Sequence, residues 1–383
     1  MSASRIDLLL DVVRRQLGMD VAFLSRFEDD ARVFRNVSSS SEAPIAVGQS
    51  HPVTETYCHL MTQGLVEAVI PDATLHPVLA ELPVTAELGI AAYIGVPVRR
   101  HDGSVYGTLC AFSPAADHDL RERDAAVLSG LADVIYELAH EEDRLDDERR
   151  RQVERFTALQ GQGGPLPRYE PVCTLDRMQV IGSEAKCTLP EGFPSYEAWL
   201  TTAHAHGFGV EFELLAVRNA VGVVDLMPGF LSVNVSPATI TSDAFTESFA
   251  SLPLTSLMIE ITEHDPVTDY EAVQAVLAPL RAAGLRVAVD HAGAGHAGMR
   301  HVLQLVPDYI KLDAGLTGGI DRHFPSQAFV ASMVTFAKKT AAVVIADGVE
   351  TDAELHCLRA LGVQVAQGPL LSEPNVTRTR AST

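Results

Sequence analysis

Six short apolar runs in the second half of the chain each end at a side chain that could do chemistry. The runs are "FLSVNVSP", "LMIEITE", "LRVAVDH", "DYIKLD", "AVVIADGVE" and "VQVAQGPLL". The groups at their ends are three carboxylates, two amides and a lysine: Glu260, Asp290, Asp347, Asn234, Gln367 and Lys311. One such residue alone is most simply a strand-end group that caps the next helix, but six in succession predict a shared site.

Gathered at one place, these carboxylates would repel one another unless a cation lay between them. Ligation by oxygen alone suits Mg²⁺, Mn²⁺ or Ca²⁺ better than zinc. A lysine in the same group could orient an attacking water or neutralise a phosphate. The combination therefore predicts metal-assisted hydrolysis of a phosphate ester.

Strands that alternate with helices must position these groups. Each pair of apolar runs leaves room for a helix between them, which is typical of a parallel sheet. The number of such units between residues 168 and 383 predicts a closed α/β barrel of the (β/α) type. In such a barrel the polar groups at the strand ends converge on one face.

The first part of the chain predicts a smaller α+β domain over residues 1–140. The stretch "AAYIGVPVRRHDGSVYGTLCAF" predicts two strands joined by a tight turn at Asp102-Gly103. Before it, "SRIDLLLDVVRRQLG" predicts a helix that ends at Gly18. One face of that helix is expected to carry Leu8, Leu9, Val12, Val13 and Leu17.

A long helix over residues 119–160 is predicted to connect this domain, through a flexible linker at 161–167, to a second domain at 168–383. Apolar residues recur along the helix at seven-residue spacing, which suits a parallel helix pair in a homodimer. The alternative is a helix packed on its own domain, followed by a solvated charged tail. The stripe consists of Leu131, Leu138 and Leu145, with Val127, Val134 and Ile135.

The composition of the 383 residues limits the possible partners and compartments. The formal net charge of −21 argues against general nucleic-acid binding. The five cysteines are scattered and contain no CxxC pair, so reduced thiols are expected. Asp7 and Asp11 interrupt the first apolar segment, which argues against a signal peptide, and no apolar run is long enough to cross a membrane. A cytoplasmic protein with no membrane partner is expected.

The second domain resembles the EAL domain, a bacterial phosphodiesterase that opens cyclic di-GMP to linear pGpG. The resemblance rests on the order and spacing of "LSVNVSP", "IEITE", "YIKLD", "GVET" and "AQG". It extends from "RYEPVCTLDRMQVIGSEAK" to "LGVQVAQGPLLSEP". It implies a TIM-like barrel, Mg²⁺ or Mn²⁺ as cofactor, and cyclic di-GMP as partner.

The resemblance also implies a role for each matching position. Four residues would bind the first metal: Glu184, Asn234, Glu260 and Asp290. The others would hold the attacking water, work at the metal-water centre, steady a loop over the site and line the pocket; they are, in that order, Lys311, Asp347, Glu263 and Gln367.

Several positions depart from the family pattern, and four of them are candidate site residues. His291 stands where a second aspartate is associated with a second metal, so it is either a substitute ligand or a mark of altered chemistry. Lys186 and Thr188 stand at substrate-binding positions, where a leucine and a phosphate-contacting arginine are expected. Asp347 is one methylene shorter than the usual glutamate, and a displacement of about 1 Å can cost on the order of 100-fold in rate.

The first domain resembles a GAF domain, a sensor module, through "VIPDATLHPVL" and the hairpin "YIGVPVRRHDGSVYGTLCAF". GAF domains bind varied small ligands, so the fold does not name the ligand. Cys58-His59 resembles a bilin attachment pair only as a dipeptide. A packed cysteine beside a loop histidine is the simpler interpretation.

These observations lead to one main hypothesis and one alternative. The first is a cyclic di-GMP phosphodiesterase, weakly or fully active, that the GAF domain tunes through the connecting helix. The alternative is an inactive EAL domain that serves as a receptor for cyclic di-GMP or as a scaffold for a protein partner. The kept metal-ligand positions and Lys311 favour an enzyme or a receptor, whereas Lys186 and Thr188 favour a receptor or a scaffold.

Overall fold

The computed structural model describes residues 4–41, 44–262, 267–292 and 296–372. The chain divides into two compact units, Met1–Glu148 and Arg149–Thr383. No helix in the described ranges is long and apolar enough to cross a membrane.

The first unit is an α+β domain built on one antiparallel sheet. Its strands are β1 (Val21–Glu28), β2 (Ala31–Ser39), β3 (Ser50–Pro52), β4 (Val69–Ile70), β5 (Ala92–Arg99) and β6 (Val105–Ser113). Its helices are α1 (Arg5–Leu17), α2 (Tyr57–Thr62), α3 (Pro83–Glu87) and the start of α4 (Glu122–Gly161). The sheet order is β3-β2-β1-β6-β5-β4, and the predicted hairpin is confirmed as β5 and β6. Gly103 in its turn has a φ of 82°, which glycine adopts without strain.

Helices α1 and α4 pack on one face of this sheet, and α2 and α3 pack on the other. The predicted extent of α1 is confirmed, and Gly18 ends it in the left-handed conformation. The predicted apolar face of α1 is wrong in part: Leu8 and Val12 are 59% and 56% exposed, whereas Val13 is buried. The helix instead buries a stripe at positions i, i+4 and i+7, which consists of Ile6, Leu10 and Val13.

Helix α4 is continuous from Glu122 to Gly161 and therefore joins the two units. Its inner face packs on the first domain through Leu128, Ala132, Ile135 and Ala139. The predicted heptad stripe is divided. Ile135 is buried, and Leu131 and Leu138 pack against the core of the first domain. Val127, Val134 and Leu145 are about half exposed, at 50%, 49% and 53%. Pairing of two such helices in a homodimer remains a prediction.

A polar network on one side chain holds α4 to the sheet of the first domain. Asp143 accepts a hydrogen bond from Arg26 Nη1 at 3.2 Å and another from Arg35. The Tyr106 hydroxyl donates to Asp143 Oδ2 at 3.1 Å. Burial and the nearby Asp143 charge raise the pKa of Tyr106 to about 12, so this donor stays protonated at neutral pH.

We expect Asp143→Asn to loosen α4, because the variant keeps the size of the side chain but loses the charge that two arginines neutralise. Hydrogen bonds to charged groups contribute about 1.5–3 kcal/mol each. Amide hydrogen exchange over residues 122–148 should therefore accelerate roughly tenfold to hundredfold. Glu141→Gln, at an exposed side chain that pairs with Arg144, is the matched control. Equal exchange rates in the two variants would contradict the network's role.

The second unit is a closed eight-stranded barrel. Its strands are β7 (Leu166–Thr174), β8 (Val180–Thr188), β9 (Phe230–Asn234), β10 (Leu257–Ile261), β11 (Arg286–Ala292), β12 (Tyr309–Leu312), β13 (Val343–Ala346) and β14 (Val365–Ala366). Its helices are α5 (Tyr196–Ala205), α6 (Gly209–Val221), α7 (Pro237–Ile240), α8 (Asp243–Phe249), α9 (Tyr270–Ala282), α10 (His296–Leu305), α11 (Ala314–Thr317), α12 (Phe324–Thr340), α13 (Asp352–Ala360) and α14 (Pro369–Ser372). The predicted barrel is confirmed, with each of the six apolar runs forming a strand.

One strand departs from the predicted parallel arrangement. The barrel order is β10-β11-β12-β13-β14-β7-β8-β9, and β7 runs antiparallel to both neighbours. A short turn joins β7 to β8, and a connection of that length can only form an antiparallel pair. The strand also begins at Leu166, inside the segment predicted as the end of the linker.

The two-residue period of the strands places the polar groups above the barrel interior. An inner apolar cluster contains Met258, Ala288, Ile345 and Val365, with Tyr309 packed against it. The residues two positions further along the same strands point to the same side of the sheet. Those residues are Glu260, Asp290, Asp347, Gln367 and Lys311.

Candidate functional site

Lys311 lies among the carboxylates that the strand ends bring together. Its side chain is only 1% exposed. The ammonium donates to Glu184 Oε2 at 2.7 Å and to Glu260 Oε2 at 2.9 Å. Asp290 Oδ1 lies 3.7 Å away, and Asp347 Oδ2 lies 3.9 Å away. One buried positive charge therefore faces four carboxylates.

Glu184 accepts hydrogen bonds from other side chains besides Lys311. Asn234 Nδ2 donates to its Oε1 at 3.2 Å, and Gln367 Nε2 donates to its Oε2 at 2.5 Å. Lys186 Nζ lies 3.8 Å from the same Oε2. Residues from β8, β9, β12 and the end of β14 thus meet on one carboxylate.

The pKa shifts follow from this unequal sharing of charge. Burial and the negative charge of Glu184 raise the pKa of Glu260 to about 8, although Lys311 lowers it. Burial also works against ionisation of Glu184, but the charges of Lys311 and Lys186 outweigh it and lower the pKa of Glu184. Glu260 and Glu184 together outweigh burial and raise the pKa of Lys311. The group therefore has an excess of negative charge, which a proton or a cation would relieve.

The side-chain oxygens gathered here are of the chemical type that binds a hard divalent cation. They are carboxylate and amide oxygens, the ligands that Mg²⁺, Mn²⁺ and Ca²⁺ prefer. Gln367 also has a buried Oε1 without a hydrogen-bond partner among the described residues. In those same residues no three His, Cys, Asp or Glu side chains are already gathered as a metal site. The carboxylates are arranged around an ammonium, so the cation would compete with Lys311 for the oxygens of Glu184 and Glu260.

His291 pairs with its neighbour Asp290. The imidazole Nδ1 lies 2.9 Å from Asp290 Oδ2, and the His291 amide donates to Asp290 Oδ1 at 2.8 Å. The hydrogen bond to Asp290 outweighs partial burial and raises the pKa of His291. The pairing of β11 with β12 shifts register between Val289 and Ala292, and His291 has a φ of 56°. This bulge turns the two polar side chains toward the same side, which a regular strand would not do.

Asp347 and Gln367 are held by the backbone that follows their strands. The Gly348 amide donates to Asp347 Oδ1 at 2.7 Å. Gly368, directly after Gln367, has a φ of 142°, and a Cβ there would lie 2.2 Å from the Val349 nitrogen. Only glycine permits this close approach, so the "QG" pair fixes where the Gln367 amide lies.

A cavity of about 500 Å³ opens beside this carboxylate group. Its polar end contains Glu184, Asn234, Asp290, Lys311 and Asp347, together with His291 and Lys186. Its other walls come from α5 and α6 and are largely apolar: Tyr196, Leu200, Ala216, Val217 and Ala220. Small-molecule sites in proteins commonly have this size and this mixture of walls.

The structure separates the two predicted substrate-binding residues of β8. Lys186 lines the cavity, and its Nζ lies 2.7 Å from Glu170 Oε2. Thr188 is exposed, donates to the Leu166 carbonyl at 3.3 Å and does not line the cavity. Glu263, predicted to steady a loop, lies outside the described residues.

Two polar groups of the cavity wall, on α5 and α6, were not predicted from the sequence. Glu213 is 2% exposed and accepts hydrogen bonds from the Ser236 amide at 3.1 Å and the Ser236 hydroxyl at 2.8 Å. His204 Nε2 lies 3.9 Å from Glu213 Oε1. The available signal was one glutamate on the apolar face of "GVEFELLAV", because an unpaired buried carboxylate is costly and implies a partner.

The raised pKa of Glu260 predicts a pH-dependent stability of the barrel. A folded-state pKa of about 8, above the ordinary 4.5, means that folding takes up a proton between these values. The contribution is full below about pH 4.5 and is lost as the pH rises through about 8. In chelator-treated protein, the free energy of unfolding should therefore fall from pH 5 to pH 8, and Glu260→Gln should flatten that fall.

Trp199, the single tryptophan, is buried in the second unit and reports its unfolding in urea. Glu271→Gln, at an exposed position of α9, is the control that should retain the wild-type slope. Parallel slopes in wild type and Glu260→Gln would show that Glu260 does not titrate in this range.

Comparisons with known families match both units. Residues 154–374 match the family model described as EAL domain, and residues 3–136 match that of the GAF domain. The EAL match alone covers more than half of the chain.

Individual relatives match part of the chain. A probable cyclic di-GMP phosphodiesterase, PdeN of Escherichia coli K12, is 31% identical over 43% of this chain and 33% of its own length. The blue light- and temperature-regulated antirepressor BluF of the same organism is 27% identical over 39% of each chain. The chain thus spans between a third and two fifths of these curated relatives.

A solved structure supports the fold. The EAL domain of FimX from Xanthomonas citri, determined in complex with cyclic di-GMP, superposes with a TM-score of 0.52. It covers 61% of this chain and 96% of the FimX domain at 22% identity. At that identity the likeness establishes the barrel fold.

Proposed function

This chain belongs to the EAL domain family, and from that membership we propose that its barrel binds cyclic di-GMP and hydrolyses it to pGpG with a divalent cation. The observation that carries the proposal is the buried group of four carboxylates around Lys311 at the end of a cavity of about 500 Å³. Family membership supplies the substrate, and the geometry supplies a place where a phosphodiester could meet both a cation and a proton-transfer group.

The charges of the site explain why a cation is needed. A cyclic dinucleotide brings two negative phosphates toward four carboxylates, whereas Lys311 and Lys186 supply only two positive charges. Mg²⁺ or Mn²⁺, held by Glu184, Asn234, Glu260 and Asp290, would polarise the phosphoryl oxygen and lower the pKa of water. The apolar walls from α5 and α6 suit a nucleobase, which Tyr196 could stack on.

The chain's own residues position the reacting groups. Lys311 remains charged, because its carboxylate neighbours raise its pKa, and it can hold an attacking water by donating to its oxygen. Asp347, with Oδ2 at 3.9 Å from the ammonium, is close enough to accept the proton of that water. Gln367 fixes one oxygen of Glu184 and Lys186 places a positive charge at the cavity wall.

We further propose that the GAF domain tunes this activity through α4 and that the protein acts in the cytoplasm as a homodimer. The helix is continuous between the two units, so it can transmit a change of register or pairing. Its half-exposed apolar stripe at Val127, Val134 and Leu145 is the surface that pairing would cover.

The second candidate function is a receptor that binds cyclic di-GMP without turnover and acts through a protein partner. The pairs that favour it are Lys311 with Glu184 and Glu260, and His291 with Asp290, because both occupy oxygens that a cation would need. The likeness to BluF, which is named an antirepressor, is consistent with action through a partner.

Lys311→Met tests the hydrolase directly. The variant keeps an apolar stem of similar length but cannot hold the attacking water, so formation of pGpG should fall by about 100-fold or more. Glu184→Gln should have a similar effect, because it removes one charge from the cation site. Product is measured by chromatography after incubation with cyclic di-GMP and Mn²⁺ or Mg²⁺. Lys339→Met, at an exposed lysine of α12, is the matched control.

The wild-type reaction separates the two candidates. Formation of pGpG that both site variants abolish supports the hydrolase, and unchanged turnover in both would refute the site assignment. Absence of product, together with a rise in melting temperature on adding cyclic di-GMP, would establish the receptor instead.

His291→Asp tests the effect of the substituted second acid. The change removes the imidazole from Asp290 and adds a carboxylate, and aspartate tolerates the left-handed backbone at this position. The apparent affinity for Mn²⁺ should rise roughly tenfold, because changing a group that hydrogen-bonds a metal ligand alters metal affinity by about 10- to 100-fold. Turnover should increase with the affinity. Calorimetric titration of Mn²⁺ gives a readout that does not depend on activity. His356→Asp on α13 is the exposed control, and equal affinities in the two variants would contradict this role of His291.

A further inference from the structure

The core of the first domain contains a buried arginine whose charge needs a partner. Arg32 is 3% exposed, and its guanidinium lies 4.2 Å from the centre of the Phe34 ring. No ion pair with a carboxylate is found for it within the described residues, where its Nε also has no hydrogen-bond partner. Arginine stays protonated at any ordinary pH, so a buried guanidinium without a counter-charge is costly.

Two groups accept hydrogen bonds from this guanidinium. Its Nη2 lies 2.7 Å from His51 Nδ1, and its Nη1 lies 3.6 Å from Cys58 Sγ. Burial and the charge of Arg32 lower the pKa of His51, so the imidazole is neutral and supplies no counter-charge. The sulfur of Cys58 is the remaining contact that can become an anion.

A second cysteine and a tyrosine complete the cluster. Cys110 Sγ lies 3.8 Å from Cys58 Sγ, and the Tyr93 hydroxyl lies 3.1 Å from Cys110 Sγ and 3.9 Å from Cys58 Sγ. Both cysteines are fully buried, one on α2 and the other on β6. A Cβ at Gly95 would lie 2.4 Å from the Tyr93 hydroxyl and 2.9 Å from Cys110 Sγ, so only glycine leaves room for this contact.

The surroundings shift the pKa values of the two thiols in opposite directions. Burial alone would raise the pKa of Cys58, but the hydrogen bond from Cys110 and the charge of Arg32 lower it well below its ordinary value. Burial and the Cys58 charge raise the pKa of Cys110. The thiolate is the reactive form of cysteine, so the pair combines an attacking sulfur with a protonated partner.

From this geometry we infer that Cys58 and Cys110 form a redox site in the first domain, which a small peroxide oxidises to a disulfide. The Sγ–Sγ separation of 3.8 Å must close to about 2.05 Å, which draws α2 toward β6. A cavity of about 10 Å³, lined by Arg32 and Tyr93 among others, lies next to the cluster and has room for one water-sized molecule.

The oxidation balances with the peroxide as the only co-reactant. The Cys58 thiolate attacks one peroxide oxygen, the O–O bond breaks, and the leaving hydroxide takes a proton from solvent to become water. Cys58 then carries a sulfenic acid. The Cys110 sulfur attacks the Cys58 sulfur, the S–S bond forms and the S–O bond breaks. The second hydroxide leaves as water with the Cys110 proton, so two electrons have passed from the sulfurs to the peroxide.

The test uses the full-length chain, reduced and then treated with hydrogen peroxide. Peptide mapping by mass spectrometry without reductant should find one cross-link, between the peptides of Cys58 and Cys110, while Cys173, Cys187 and Cys357 keep free thiols. Free thiols at both positions after treatment would overturn the proposal. So would a disulfide to any other cysteine, or oxidation of Cys58 that leaves Cys110 a thiol.

Variants separate the chemistry from the packing. Cys110→Ser should trap the sulfenic acid at Cys58, which dimedone labels, whereas Cys58→Ser should leave Cys110 unreactive. Arg32→Gln should slow disulfide formation by about tenfold or more, because a thiol with an ordinary pKa near 8.5 is only about 3% thiolate at pH 7. Arg32→Lys keeps the charge and should retain most of the rate, and Cys357→Ser is the control. Equal rates in Arg32→Gln and wild type would refute the role of the charge.

Discussion

The second domain depends on the buried ammonium group of Lys311. Lys311 donates to Glu184 and Glu260 and lies within 4 Å of Asp290 and Asp347, so it is the positive charge that lets four strands bring acids to one place. Burying an ammonium or a carboxylate is costly unless the group is paired with an opposite charge and hydrogen-bonded. The charge of Lys311 balances about one carboxylate charge and leaves the other carboxylate charges unbalanced. The excess gives the site its affinity for protons and cations, so the interaction that stabilises the fold also prepares the chemistry.

The alternation of side chains along the strands explains why the apolar core and the charged group lie so close together. Met258 and Glu260, or Tyr309 and Lys311, are two residues apart and point into the same barrel. A shift of one residue in any of these strands would place the charge among the outer helices and an apolar residue in the site. The register that buries the inner cluster therefore also places the functional group, and the backbone after β13 and β14 then holds Asp347 and Gln367.

The sequence predicted what depends on periodicity and failed where local backbone decides. The strands of the second domain and the polar residues at their ends follow from apolar runs of regular spacing. The bulge at His291 does not, because a register shift between Val289 and Ala292 depends on how β11 meets β12. The apolar face predicted for α1 was wrong in part for a related reason: Leu8 and Leu10 are equally apolar, and only the sheet beneath the helix selects Leu10. Thr188 lies two residues beyond Lys186 on the same strand but too near its end to reach the cavity.

Each of the two domains contains a buried positive charge whose balance decides the chemistry of its site. In the first, the sulfur of Cys58 is the contact of Arg32 among the described residues that can become an anion, and the pair is complete when that sulfur is a thiolate. A complete pair has no charge left to attract a large ligand, but its anion can react, so the expected chemistry is oxidation of the sulfur. In the second domain the carboxylates outnumber the buried lysine, and the group can be completed only by something from outside. The same electrostatic requirement thus favours a closed, reactive site in one domain and an open, ligand-binding site in the other.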